Sequence, residues 1–376
     1  MREQWSTNNQ LCVIASELGA SFIDKHVRRL RPGATVAVAL YDTHPHAKIF
    51  APPCPVLQLD RWALKLTVRL ARRTGVSFER MRDHQVARFL RQYKVGVVLG
   101  EYMDQFLEFV PLLDRMRIPY VVQAHGIDVS ACLLEPGVPQ RYMVYTSAKA
   151  ILTRCEFHRQ RLIKIGLPED KIHVNPGGVD IPPPPAPRPP ESRHRFLGIG
   201  FMTPQKAPIM LLEAFRLAAA QNPHLTLDYV GGGPLFDAAP MFVKACGLED
   251  RVRIHGIVSE EIKNRLLREC GVFVQHSVTV PGTGHEEGLP AAIQEAMGHG
   301  LAVVSTRHSG IAEAVVEDET GLLVDEGDVR GMAEAFLRMP PLSEAMGQAG
   351  YRKAAANYAW EHEKARLEYH LSAAAA

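Results

Sequence analysis

Short apolar runs alternate with longer helical patterns along almost the whole chain, and that alternation is the strongest constraint on its fold. In the first half, residues 11–15, 35–40, 95–99, 120–123, 142–145 or nearby, and 172–174 read as strands. In the second half, 196–200, 225–230, 252–255, 272–275, 302–305 and 321–324 do. Several of these runs are rich in Val, Leu and Ile and carry no polar alternation, which suits strands buried on both faces. The helical stretches between them can supply the cover. An α/β architecture with two parallel sheets is the expectation. A chain of 376 residues exceeds one ordinary core, so two domains are expected.

A boundary between them is marked twice. The run "IPPPPAPRPPES" at 181–192 cannot continue a helix or a central strand and favours an extended, semi-rigid connector. The charge balance also changes there, from +8 over residues 1–180 to −6 over the remainder. The expected organisation is an N-terminal domain at 1–180, the connector at 181–192, a second domain at 193–350 and a helical tail at 351–376. The tail carries Trp360, Ala365, Leu367 and Tyr369 and can pack within the second domain or cross back to the first.

Several classes are disfavoured. The first residues hold no long apolar stretch, so no secretory leader is expected. No uncharged apolar run reaches membrane-spanning length. The cysteines Cys12, Cys54, Cys132, Cys155, Cys246 and Cys270 lack CxxC or zinc spacing and are expected to be reduced, in a cytoplasmic protein. Basic residues concentrate in 61–94. There Arg61, Lys65, Arg69, Arg72 and Arg73 fall at helical spacing beside Trp62, Leu66 and Leu70. A basic amphipathic helix of this kind fits an anionic membrane surface, and equally a solvated face on a basic domain. No nucleic-acid motif accompanies it, so nucleic acid is not an expected partner.

The stretch "HEEGLPAAIQEAMGHG" at 285–300 carries the chemistry. It follows a strand, and a loop with Gly282, Gly284 and Gly288 feeds a helix expected to open at Leu289–Pro290 and to end at Gly300. A helix N-terminus offers unpaired N–H groups and a positive dipole end, which suits phosphate. Glu287 and Glu295 lie about 10 Å apart at that end. Carboxylates beside a phosphate repel it unless they hold hydroxyls flanking it. Hydroxyls on both sides of a diphosphate describe a nucleoside diphosphate-sugar. The spacing alone equally fits Glu on the wet face of an ordinary helix.

The wider sequence "EEGLPAAIQEAMGHGLAVVSTRHSGIAEAVVEDETGLLV" resembles the signature of family 4 glycosyltransferases, retaining enzymes of GT-B fold with two facing Rossmann-like domains. "YVVQAHGIDVS", "VNPGGVD", "LGIGFMTPQKAPIMLLEAF" and "LDYVGGGPL" extend the likeness from about residue 95 onward. The opening "IASELGASFIDKHVRRL" is similar to the start of members that make exopolysaccharide or lipid-linked sugars, and points to Ser16, Glu17, Gly19 and Ser21 on the acceptor side. The resemblance implies that Glu287 meets the donor sugar, Glu295 the ribose, and Lys206 the diphosphate. It implies that His125 faces the donor sugar across an interdomain cleft and that Asp128 orders the His125 loop on the acceptor side. Gly200, Gly231, Gly232, Gly233, Ile257, Gly288, Leu289 and Pro290 complete the implied donor site, with His125, Lys206 and Glu287 as the catalytic set. The family needs no metal or other cofactor, and no Asp-x-Asp motif is evident for the diphosphate.

The chain departs from the family pattern at Phe201, where an Arg commonly joins the Lys on the diphosphate. Phe cannot hold phosphate. Arg195 and Arg307 are candidate substitutes. The implied reaction moves a hexose-type sugar, first from a UDP-sugar and second from GDP-mannose, to a glycan or lipid-linked acceptor. The competing reading is a non-catalytic scaffold that binds a nucleotide sugar or a partner enzyme.

Overall fold

In the computed structural model, which describes residues 10–15, 18, 21–40, 54–59 and 77–376, each sheet is wholly parallel. The chain divides into two compact units. The first comprises residues 1–153, 159–175 and 364–376; the second comprises 154–158 and 176–363.

The first unit is built on β1 (Gln10–Ala15), β2 (Thr35–Ala39), β3 (Val56–Gln58), β4 (Val95–Glu101), β5 (Tyr120–Gln123), β6 (Ala150–Thr153) and β7 (Ile172–Val174). Their order is 3-2-1-4-5-6-7. Side chains leave a strand on alternate sides, and both sides of β1 are buried. Cys12 and Ile14 enter one apolar cluster, with Val36, Val38, Phe89 and Phe106. Leu11, Val13 and Ala15 enter another, with Ala37, Ala39 and, from the last helix, Leu367 and Leu371. Unbroken apolar strands follow directly, because no position faces water.

The second unit repeats the plan with β8 (Arg195–Ile199), β9 (Thr226–Val230), β10 (Val252–Gly256), β11 (Val272–Val274), β12 (Ala302–Thr306) and β13 (Gly321–Val324). The order 10-9-8-11-12-13 is the doubly wound order of a dinucleotide-binding sheet. In each unit the winding reverses beside the first strand, between β1 and β4 and between β8 and β11. Crevices at the carboxyl ends of strands form at such points.

One expected strand is not a strand. Residues 142–145 lie where the helix Val138–Tyr142 passes into a tighter turn, Met143–Ser147. Tyr142 and Tyr145 are three apart and both fully buried, which is a helical spacing. Their hydroxyls donate to the carbonyls of Asp128 and Met103. The strand is β6, immediately downstream, and β3 also escaped the sequence reading. The other strands lie within two residues of their expected bounds.

The proline-rich run lies wholly in the second unit, and the division between units falls at Asn175–Pro176. The run is bound along that unit. Tyr351 donates to the Pro182 carbonyl at 3.0 Å. The Arg188 guanidinium donates to the carbonyls of Leu267, Arg268, His299 and Gly300. It thereby satisfies the carboxyl ends of two helices, where a cation also complements the dipole.

Candidate functional site

In the second unit, the segments leaving β8, β9 and β11 converge at the winding reversal. Gly200 N–H donates to Val230, Gly231 N–H to Gly256, and Met202 N–H to Gly232. Gly231 has φ +144°, and a Cβ there would lie 1.9 Å from the Gly200 carbonyl oxygen. No other residue type fits so close an approach. Gly232 and Gly233 continue this turn, and the Ile257 side chain covers Gly232 while remaining exposed. The turn after β8 carries Phe201, half exposed, and then Lys206.

The loop after β11 is anchored at several points. Val278 N–H donates to Gln205 at 2.9 Å. The Thr279 N–H donates to a Glu326 carboxylate oxygen at 2.6 Å, and its hydroxyl to Glu286 at 3.1 Å. His308, buried after β12, accepts the Glu287 N–H on Nε2 at 3.1 Å. Its Nδ1 must then carry the proton, which it donates to Glu326 at 2.5 Å. Burial would raise the Glu326 pKa, but the Thr279 N–H and His308 more than offset it and hold the carboxyl below its ordinary value.

The loop delivers Glu287 against Lys206, Oε2 to Nζ 3.0 Å, with the two side chains 15% and 13% exposed. Gly288 accepts the Gly310 N–H at 3.1 Å. Leu289 and Pro290 follow, and the helix runs Ala291–Gly298 with Pro290 as its extended N-cap. It therefore opens just after the expected Leu289–Pro290 start. At its other end Gly300, φ +73°, and Leu301 donate to the Met297 and Ala296 carbonyls. That is the double closure of a glycine-terminated helix.

Glu295 is not idle on a wet face. It pairs with Lys263 at 2.7 Å, and Lys263 also meets Glu260 at 2.9 Å. Burial disfavours the Lys263 ammonium, yet the two carboxylates more than offset this and its pKa lies above the ordinary value. Both candidate substitutes for the missing Arg are paired with carboxylates. Arg195 opens β8, at the opposite end from the glycine turn, and pairs with Asp228 and Glu269. Arg307 pairs with Glu317 at 2.8 Å and approaches Asp325.

The first unit holds a different arrangement. Glu101 ends β4 with no exposed side-chain surface. His26 Nδ1 lies 2.6 Å from one of its oxygens and His125 Nε2 2.8 Å from the other. Gln123 donates to it at 3.3 Å, accepts from Asn175, and Asn175 accepts from Arg366. Burial would raise the Glu101 pKa, and the two histidines overcome that and hold it well below the carboxylate range. Asp128, also buried, accepts the N–H groups of Met103, His125 and Gly126. It fixes the loop that carries His125.

Of the acceptor-side residues, Ser21 opens the helix Ser21–Lys25. Ser16, Glu17, Gly19 and the basic stretch 61–76 lie outside the described residues. Among the described residues, no helix is long and apolar enough to cross a membrane. Sequence reasoning missed Glu101, His26, Lys263, His308 and Glu326. Glu101 and His308 had a signal, since both are polar residues at or just beyond the carboxyl end of an apolar strand. Lys263 had a weaker one, four residues after the Ser259 that caps its helix. His26 and Glu326 had none.

Two family models match the chain, one in each half. Residues 35–182 match the family model "Glycosyltransferase Family 4", and residues 193–339 match "Glycosyl transferases group 1". The chain is 33% identical over 214 residues to WcaL of Escherichia coli, named for colanic acid biosynthesis, covering 56% of this chain and 52% of that one. It thus spans about half the length of this relative and of two others named for colanic acid and amylovoran biosynthesis. It is 28% identical over 268 residues to a GDP-mannose-dependent phosphatidylinositol monomannoside mannosyltransferase of Mycolicibacterium smegmatis, covering 67% and 69%. Among solved structures, HepE of Anabaena in complex with UDP-glucose superposes with TM-score 0.77 at 15% identity, covering 97% and 99%. That likeness shows the fold, which is GT-B.

Proposed function

The chain belongs to glycosyltransferase family 4, and from that premise we propose that it moves a hexose-type sugar from a nucleoside diphosphate-sugar to a hydroxyl of a glycan or lipid-linked acceptor, retaining the anomeric configuration. The observation that carries this reading is the meeting of Lys206 and Glu287, 81 residues apart, at 3.0 Å beside a helix N-terminus and a glycine turn. The pair holds both side chains ready. A diphosphate entering the turn takes up Lys206, and Glu287 accepts hydrogen bonds from the sugar hydroxyls. Glu295 serves the ribose hydroxyls, sharing its charge with Lys263.

The bond that breaks joins the anomeric carbon to the diphosphate oxygen. Negative charge develops on that oxygen, and Lys206 with the N–H groups at the helix start stabilises it. The acceptor oxygen bonds to the same face of the carbon, and its proton passes to the departing phosphate oxygen. His125 assists at the donor sugar. The likeness to a GDP-mannose-dependent enzyme and to a UDP-glucose complex makes GDP-mannose and UDP-glucose the donors to try. An anionic membrane surface is the proposed setting for a lipid-linked acceptor, with the basic first half as its contact.

A thermal-shift screen of nucleotide sugars tests donor binding, because a ligand of the native state raises the midpoint. Release of UDP or GDP with a lipid-linked sugar then tests transfer. The half-exposed Phe201, with Arg195 and Arg307 both committed to carboxylates, favours a second reading, a non-catalytic nucleotide-sugar scaffold. Donor binding without release under any acceptor supports the scaffold and refutes the enzyme.

A further inference from the structure

A carboxylate removed from water is costly unless it is paired and hydrogen-bonded. Glu101 meets that condition through three side chains from three segments. His26 comes from the turn His26–Leu30, His125 from the loop after β5, and Gln123 from the end of β5. An ionised carboxylate only accepts, so the His125 Nε2 must carry a proton. The same ring packs against Phe22 at 4.7 Å and Tyr102 at 4.3 Å. Tyr102, directly after Glu101, adopts φ +62°, a conformation that a bulky residue keeps only where its surroundings impose it. The His125 side chain nevertheless keeps 9% of its surface exposed.

We infer that Glu101 is a positioning residue for the transfer: it holds His125 by Nε2, and His26 braces the carboxylate through its other oxygen, so the imidazole is presented in one orientation and one tautomer. This rests on the reading that His125 serves the sugar-transfer site.

Two measurements test it. Imidazole nitrogen NMR of the full chain is expected to show His125 protonated on Nε2, and a tautomer mixture in Glu101→Gln. An Nδ1-protonated wild-type ring overturns the inference. Release of UDP or GDP from UDP-glucose and GDP-mannose is then followed in Glu101→Gln, His125→Ala and the double variant. Glu101→Gln is expected to lower kcat about 10- to 100-fold with the donor KM within about twofold, since a misplaced group costs turnover more than binding. The double variant is expected to be no slower than His125→Ala, because residues acting as one unit are not additive. If His125→Ala is disabled while Glu101→Gln retains more than half the wild-type kcat, or if the losses multiply, Glu101 does not position His125 and only this inference falls. Wild-type turnover in His125→Ala removes the reading of His125 itself. Should Glu101→Gln melt far below the wild type, His26→Gln carries the test. A kcat lowered about threefold or more at constant KM supports the inference, and an unchanged kcat overturns it.

Discussion

The two units place charge at the same point of the same topology and treat it in opposite ways. In the first, Glu101 and Asp128 are fully buried and every partner is a fixed donor of that unit. In the second, Lys206, Glu287, Lys263 and Glu295 keep between 13% and 23% of their side-chain surface and pair with one another. Buried charges in low dielectric tolerate little rearrangement, because a lost partner leaves a desolvated charge. Partly wet ion pairs are worth little and exchange partners cheaply. The first arrangement suits a frame that holds a side chain still. The second suits a cradle whose charges must pass from each other to a ligand.

Lys206→Ala puts the most strain on this contrast. If the cradle works as proposed, kcat falls about 10²- to 10³-fold, the range for removing one preorganised stabiliser of developing charge. The melting temperature stays within a few degrees, since a part-exposed pair contributes about 1 kcal/mol or less. Full activity, or a collapse in stability, breaks the comparison. Asp128→Ala is the mirror experiment in the first unit. It strips the acceptor from three backbone N–H groups and is expected to cost about 2–4 kcal/mol in urea unfolding. A cost below about 1 kcal/mol would show that the buried frame is as dispensable as the cradle pairs.

Asp104 sharpens the comparison through pH. Burial, and then Asp128, push its pKa up to about 6 from 3.8. A carboxyl with a raised folded pKa costs stability once the unfolded form ionises, so the cost grows from about pH 4 to pH 6 and stays constant above. Asp104→Asn should therefore stabilise the protein by about 1–2 kcal/mol at pH 8 and by nothing at pH 4. Equal effects at the two pH values would exclude Asp104 as the origin. The smallest effect is expected of Phe201→Arg. A second cation at the glycine turn should tighten UDP or GDP binding about 3- to 10-fold by calorimetry. Weaker binding would give the exposed Phe ring a role of its own.

The sheets were legible because their strands are buried on both sides. The pattern in 35–40 or 302–305 has no other stable home. The turn at 142–145 misled because two tyrosines and a valine look like a strand until the tyrosine hydroxyls find carbonyls 14 and 42 residues away. The proline run was legible as non-helical but not as a strap. Its attachment depends on the Tyr351 hydroxyl and on the Arg188 guanidinium, which reaches two helix ends that only the folded unit brings near.

The candidate site divides along the same line. Glu287, Lys206 and the glycine turn are contiguous words, and their chemistry is carried by local geometry, a loop feeding a helix and a turn too tight for a Cβ. The sequence by itself determined the parallel sheets, the glycine turn and the family. It could not show that Lys206 would pair with Glu287, that Lys263 would take Glu295, or that Glu101 would gather two histidines 75 and 24 residues away. Those pairings depend on which strand ends lie side by side. In a sheet wound 3-2-1-4, neighbours in space are not neighbours in the chain.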